Sequence, residues 1–171
     1  MASGPERVQA ALNSRGLEAK VVRLPESTRT APEAAKAAGC DVGAIAKSLV
    51  FLGFANSQGS GPETQPVLVI CGGDRRVDTA RVAELIGASE VKMAPAEEVR
   101  RITGFAIGGV PPLGWASHKD TTPLIIVMDT GLLRWPTIYA AAGAHDALFP
   151  INPHRLAEIT GARVEDVGVR G

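Results

Sequence analysis

The run Thr122–Asp129, TPLIIVMD, limits the possible folds more than any other stretch of the chain. Its unbroken apolar centre, Leu124 to Met128, is too short for a helix and too apolar for a half-exposed strand. It reads as a strand buried in a sheet. The segments IAKSLVFLGF (45–54) and PVLVICGG (66–73) have the same character, so several buried strands must share one core. Aromatic residues make up only 4% of the chain, which leaves Val, Ile, Leu and Ala to fill that core.

Helical signals lie between these strands. GPERVQAALNSRG predicts a first helix with Val8, Ala11 and Leu12 on one face and Gly16 as its stop. TAPEAAKAAG predicts a second, opened by a Thr30–Glu33 capping box and closed by Gly39. Asp78 is placed to cap a third, and PAEEVRRITG reads as a fourth with Glu97 and Glu98 early, Arg100 and Arg101 late, and Gly104 as its stop. NPHRLAEITG is a fifth, with Asn152 as N-cap and Gly161 as stop. EAKVVRL, EVKMA, TIYAAAG, ALFPI and ARVEDVGV complete the strands, while NSQGSGPETQ is a loop by composition. Strands and helices do not alternate in strict βαβ order. The expected fold is one α+β domain over residues 1–171, with a curved, mixed and mostly antiparallel sheet of about seven strands, flanked by helices.

Composition excludes several functions. The chain has 171 residues, with 18 Lys plus Arg against 18 Asp plus Glu, so the formal net charge is zero. That balance argues against broad nonspecific coating of nucleic acid but leaves room for a local basic patch. No apolar run is long enough to cross a membrane, and the N-terminus lacks the apolar core of a secretion signal, so the expected location is cytoplasmic. Cys40 and Cys71 are isolated and read as reduced, structural residues. His118, His145 and His154 show no metal-ligand pattern and read as solvated or capping residues, and no metal or cofactor is expected. GxSxG and Walker A motifs are absent, and CGGDRR reads as a tight turn carrying surface charge.

Two features resist ordinary explanations. Lys47 lies at the mouth of a strand that otherwise reads as fully buried. Because burying an unpaired ammonium is costly, Lys47 must either snorkel to solvent or meet an anion such as a phosphate. The uncharged stretch GFAIGGVPPLGW (104–115) is the other. Gly104 serves as a helix stop, but Gly108 and Gly109 follow no helix end and could turn their N–H groups into an anion or oxyanion nest. Pro111 and Pro112 would stiffen such a loop. On these grounds a rigid corner and the wall of a site remain equally open.

AKSLVF, PVLVICGGDRRVDTARVAELIGA, TGFAIGGVPPLG, PLIIVMD and YAAAGAHDALFPINPHRLAEITGA occur in this order and at spacings that resemble the YbaK / prolyl-tRNA synthetase-associated editing family. The resemblance runs from about Val21 to Val167 and is to the free-standing members. It implies a barrel-like fold and an aminoacyl-tRNA deacylase that hydrolyses the ester of mischarged tRNA, typically tRNA-Pro carrying alanine, cysteine or a similar small residue. It also implies the acceptor end of aminoacyl-tRNA as ligand and prolyl-tRNA synthetase as a further partner, with neither membrane nor DNA. Lys47 matches the family's lysine, thought to hold the 3′-terminal nucleotide. Gly104, Gly108, Gly109, Val110 and Pro111 match its glycine-rich loop, which borders the ester. Catalysis would then rest on Lys47 and the Gly108 and Gly109 amides, with water or a substrate group as nucleophile. GGVPP is closer to the YbaK-like branch than to the alanine-specific branch, whose loop would carry Thr before the proline. Lys36, Lys47, Arg75 and Arg76 are candidates for a local tRNA-facing patch. The alternative is a non-catalytic module of the same fold that binds tRNA or a nucleotide, or docks on a synthetase.

Overall fold

The three apolar runs supply the middle of a mixed sheet in a computed structural model that describes residues 2–25, 30–55, 64–115 and 124–171. In chain order the first elements are α1 (Gly4–Ser14), β1 (Val22–Arg23), α2 (Ala31–Ala38), β2 (Ile45–Phe54) and β3 (Thr64–Gly72). They are followed by β4 (Arg75–Val77), α3 (Thr79–Ile86), β5 (Glu90–Met93) and α4 (Ala96–Thr103). Beyond the glycine-rich stretch come β6 (Ile125–Asp129), β7 (Ile138–Ala141), β8 (Ala147–Ile151), α5 (Pro153–Thr160), β9 (Arg163–Glu165) and β10 (Gly168–Arg170). Most of the expected 56–65 loop, the first residues of TPLIIVMD, and His118 fall outside the described residues.

The main sheet has eight strands in the order β1-β8-β7-β2-β3-β6-β9, with β5 added on β2, while β4 and β10 form a separate antiparallel ribbon. Antiparallel pairs hold only a narrow majority in the main sheet: β1–β8, β7–β8, β2–β3 and β2–β5. The pairs β2–β7, β3–β6 and β6–β9 are parallel. Among the described residues no pairing joins β1 to β9, so the sheet is hydrogen-bonded as an open path.

Three differences from the sequence reading have local causes. EAKVVRL pairs only through β1, because the Gln9 side chain on α1 donates to the Ala19 carbonyl and accepts from the Val21 N–H. ARVEDVGV divides into two strands of different sheets. The Asp129 carboxylate accepts from the Val167 and Gly168 N–H groups at 3.0 and 2.8 Å and draws the chain away from β9 there. CGGDRR is a turn, as read, but its arginines open β4.

The sheet is buried on both faces, as its uninterrupted apolar runs require. Along β3, Leu68 and Ile70 join the larger core with Val8 and Leu12 of α1, Val99 and Ile102 of α4, and Leu156 of α5. Val67, Val69 and Cys71 point the other way, against Val82 of α3 and Val167. Each of these large side chains contributes about 1.5–3 kcal/mol when fully buried. The helix ends follow the sequence signals: Thr30, Asp78 and Asn152 accept backbone N–H groups at the starts of α2, α3 and α5. Pro95 stands one position before the first turn of α4, as its N-cap residue.

Candidate functional site

Strand β2 is paired unevenly, and the site forms where its pairing fails. One edge bonds to β3 along nearly its whole length. On the other edge, β7 pairs only with Ile45 and Ala46, and β5 pairs only with Phe51 to Phe54. Among the described residues no strand runs beside 47–50 on this second edge, and a cleft of about 270 Å³ opens there. Seven alanines line it, from α2, β2, the β5–α4 junction and the β7–β8 hairpin, so its walls are close and largely apolar. Met93 and Ile107, 61% and 59% exposed, form an apolar rim.

Lys47 stands at the first residue of this gap. It is half-buried, and its Nζ donates to the Arg75 carbonyl oxygen at 2.6 Å. It therefore meets a neutral acceptor that uses one of its three N–H bonds. Cys71, its partner across the β2–β3 pair, is fully buried. Burial chiefly, with Asp129 adding to it, pushes that thiol up to about 11, which removes it as a nucleophile at neutral pH. Arg75 turns toward the buried Asp129 carboxylate at 3.5 Å, whereas Lys36 and Arg76 are exposed.

The glycine-rich stretch divides between wall and scaffold. Ile107, Gly108 and Val110 line the cleft; Gly104, Gly109 and Pro111 do not. Gly104 ends α4, and its carbonyl accepts from Arg7, whose guanidinium also lies 4.1 Å over the Phe105 ring. The Gly109 N–H donates to the Ala106 carbonyl at 3.1 Å, closing a turn with Ile107 and Gly108 at its tip. Gly108 has φ +95°, the positive φ that the third residue of a type II turn needs. That bond commits the Gly109 amide to the turn, so Gly108 is the loop glycine at the cleft. Gly109 is held in another way: its carbonyl accepts from Gly143, and a Cβ there would come within 2.9 Å of the Ala144 backbone. The Pro111 carbonyl accepts from Trp115 Nε1 at 2.7 Å, and both prolines are buried, which makes the stretch rigid.

Two lining residues escaped the sequence reading. His145 is exposed at the β7–β8 turn, in keeping with its reading as a solvated residue, but it also borders the cleft, and its charge helps to lower the Asp146 carboxyl. Ser48 was hidden inside an apolar strand, with nothing local to single it out. No cluster of three metal-ligating side chains occurs among the described residues, and none of their helices is long and apolar enough to cross a membrane.

This arrangement matches a known class. The sequence profile of the aminoacyl-tRNA editing domain matches residues 25–159, and the chain belongs to that family. A crystal structure described as a candidate trans-editing enzyme for prolyl tRNA synthetase is 44% identical, with 99% of each chain covered and a TM-score of 0.83. The proline–tRNA ligase of Limosilactobacillus fermentum is 32% identical over 132 residues, which are 77% of this chain and 21% of the ligase. EbsC of Enterococcus faecalis, named as a candidate Cys-tRNA(Pro)/Cys-tRNA(Cys) deacylase, is 22% identical over 83% of this chain and 79% of its own.

Proposed function

We propose that this chain, as one editing domain, hydrolyses the ester of mischarged aminoacyl-tRNA, with tRNA-Pro carrying alanine, cysteine or a similarly small amino acid as substrate. The observation that carries this reading is the alanine-lined cleft between Lys47 and the Gly108 turn. It is large enough for a small aminoacyl group and is walled by rigid backbone. In this reading the ester carbonyl sits by the turn, and the Gly108 amide stabilises the developing oxyanion. Lys47 uses its remaining N–H bonds on the terminal nucleotide's phosphate or ribose, and Met93 and Ile107 support its base. Water, assisted by a substrate hydroxyl, adds to the carbonyl carbon, or a side-chain thiol adds in its place and carries the acyl group away as a cyclic thioester. The bond to the ribose oxygen then breaks, and that oxygen leaves with a proton.

An ester is already activated, so positioning and oxyanion stabilisation can supply much of the acceleration without a protein nucleophile. Selection comes from size, where one methylene is worth about 10–200-fold. The reading places the protein in the cytoplasm, contacting only the acceptor end of tRNA, with prolyl-tRNA synthetase as the source of its substrate.

The test is a deacylation panel of Ala-, Cys-, Ser- and Pro-tRNA-Pro with the wild type and Lys47→Ala. Hydrolysis of at least one small aminoacyl ester, sparing of Pro-tRNA-Pro, and loss in the variant are expected. Failure to hydrolyse any member would leave a binding module of the same fold. Equal action on Pro-tRNA-Pro would end the editing role.

A further inference from the structure

The Gly108 turn owes its place to supports that lie away from its tip. Ile107 is 59% exposed, and a Cβ on Gly108 would meet no other described residue within 4 Å. The bond from the Gly109 N–H to the Ala106 carbonyl fixes the shape of the turn but not where it stands. Its position must come from its flanks.

Thr103 holds Phe105 from within α4, and the supports that reach the flanks from elsewhere lead to α1. Before the turn, Arg7 Nη1 donates to the Gly104 carbonyl at 3.2 Å, and the same guanidinium lies 4.1 Å over the Phe105 ring. A cation there also suits the negative end of α4. After the turn, the Gly109 carbonyl accepts from Gly143 at 2.9 Å. Gly143 in turn packs so closely on Gly4 that a Cβ on either would overlap the other's backbone. Farther along, a Cβ on Gly114 would come within 3.1 Å of that of Ala11. Gly4, Arg7 and Ala11 follow one another at spacings of three and four, so a single stripe of α1 serves the whole stretch. The neighbouring face, with Val8 and Leu12 fully buried in the larger core, keeps the helix itself from moving.

We propose that α1 braces the oxyanion turn, with Arg7 as its positioning residue. The placing of the Gly108 amide opposite Lys47 is then set by a helix that contributes no residue to the cleft lining. That helix also lies outside residues 25–159, the span that the editing-domain profile matches. The assignment rests on the reading of Gly108 as the oxyanion donor. Deleting α1 would remove Val8 and Leu12 from the core, whereas Arg7 is half-buried and can be replaced alone.

The experiment measures single-turnover deacylation of the fastest substrate of the panel, at a temperature where thermal unfolding shows every variant folded. Arg7→Met keeps an unbranched stem beside Phe105 but loses the charge and the bond to Gly104. Its maximal rate constant should fall by about 10–100-fold, the cost of a displacement of about 1 Å. The half-saturating concentration should stay at the wild-type value, because Lys47 keeps its place. Joined to Gly108→Ala, Arg7→Met should add little, since the turn is already displaced. Joined to Lys47→Met, which does not share the turn, the two losses should multiply. A merely structural role would lower Tm and leave the rate of the folded protein unchanged. Gly4→Ala, which must push α1 off the Gly143 hairpin, puts the same question should Arg7→Met fail to fold.

An unchanged maximal rate, a loss confined to half-saturation, or losses of Arg7→Met and Gly108→Ala that multiply would overturn the proposal alone. A Gly108→Ala variant as fast as the wild type removes the oxyanion turn and the proposal with it. A wild type inactive on every panel member overturns the editing reading as well.

Discussion

The Lys47 ammonium and the Arg75 carbonyl oxygen are 2.6 Å apart, a bond that joins β2 to the first residue of β4 and holds the lysine at the edge of the cleft. A hydrogen bond made by a charged group contributes about 1.5–3 kcal/mol. If Lys47 holds the terminal nucleotide, Lys47→Met should lower kcat/KM for deacylation by about 10–100-fold. Lys47→Arg should not restore it, because a planar guanidinium cannot replace a compact ammonium in a half-buried position. Single-turnover assays of the two variants check both statements.

Gly108 and Gly109 should respond differently to the same side chains. Gly108→Ala meets no neighbour within 4 Å but forces a side chain onto φ +95°, at a cost of about 1–3 kcal/mol. Gly108→Asn should be milder, since asparagine tolerates that turn position. Gly109→Ala has no such backbone strain and instead drives a Cβ into the Ala144 backbone, an overpacking of about 1–3 kcal/mol that Asn would worsen. Urea midpoints should therefore rank Asn above Ala at Gly108 and Ala above Asn at Gly109.

Removing the Asp129 carboxylate should loosen the end of the chain. It is fully buried and accepts from Gly131, Val167 and Gly168 N–H groups as well as pairing with Arg75. Asp129→Ala strands these donors and should cost about 3–5 kcal/mol. Hydrogen exchange should show the Val167 and Gly168 amides losing protection with the global loss of stability.

Acid should destabilise the protein through two carboxylates. For Asp74, burial works against ionisation, but its bond and attraction to Arg134 prevail and hold the carboxyl below its ordinary range. For Asp146, the hydrogen bonding of Arg23 Nη2 to both carboxylate oxygens is the main cause of a shift in the same direction. A depressed folded-state value means that the stabilisation is complete above the ordinary carboxylate range and is lost as pH falls below about 4. Both pairs are partly exposed, so each contributes about 0.2–1 kcal/mol. Asp74→Asn/Asp146→Asn should be less stable than the wild type at pH 7 and approach it near pH 2.

The two cysteines should label at different rates. With its thiol at about 11 and no exposed surface, Cys71 should resist a thiol reagent at pH 8 until the protein unfolds. Cys40 is partly exposed and its thiol is raised mainly by burial, so it should react more slowly than a free thiol but well ahead of Cys71. Mass spectrometry of partly labelled protein resolves the order.

What the sequence revealed depended on distance along the chain. Thr30, Asp78 and Asn152 cap their helices as read because a cap and its target lie within three residues. Lys47 and Gly108 stood out because each breaks a local rule, a charge at the mouth of a buried strand and a glycine remote from any helix end. The cleft was not legible, since it exists only because β5 and β7 reach the same edge of β2 and stop short of each other. Ser48 and His145 come to border the cleft only through that arrangement. Gly109 was singled out for its amide, yet its packing depends on Ala144, which is brought to it from another hairpin.

The bare segment of β2 also bears on how the chain avoids its own kind. An unpaired strand edge is an invitation to another strand and a common starting point for aggregation. Here the free length is only residues 47–49, roughly 10 Å, and it lies at the floor of a walled cleft between two strands that already occupy the same edge. A small ester can reach those backbone groups, but a second polypeptide cannot lie along them. The recess that admits a ligand therefore also keeps other chains away.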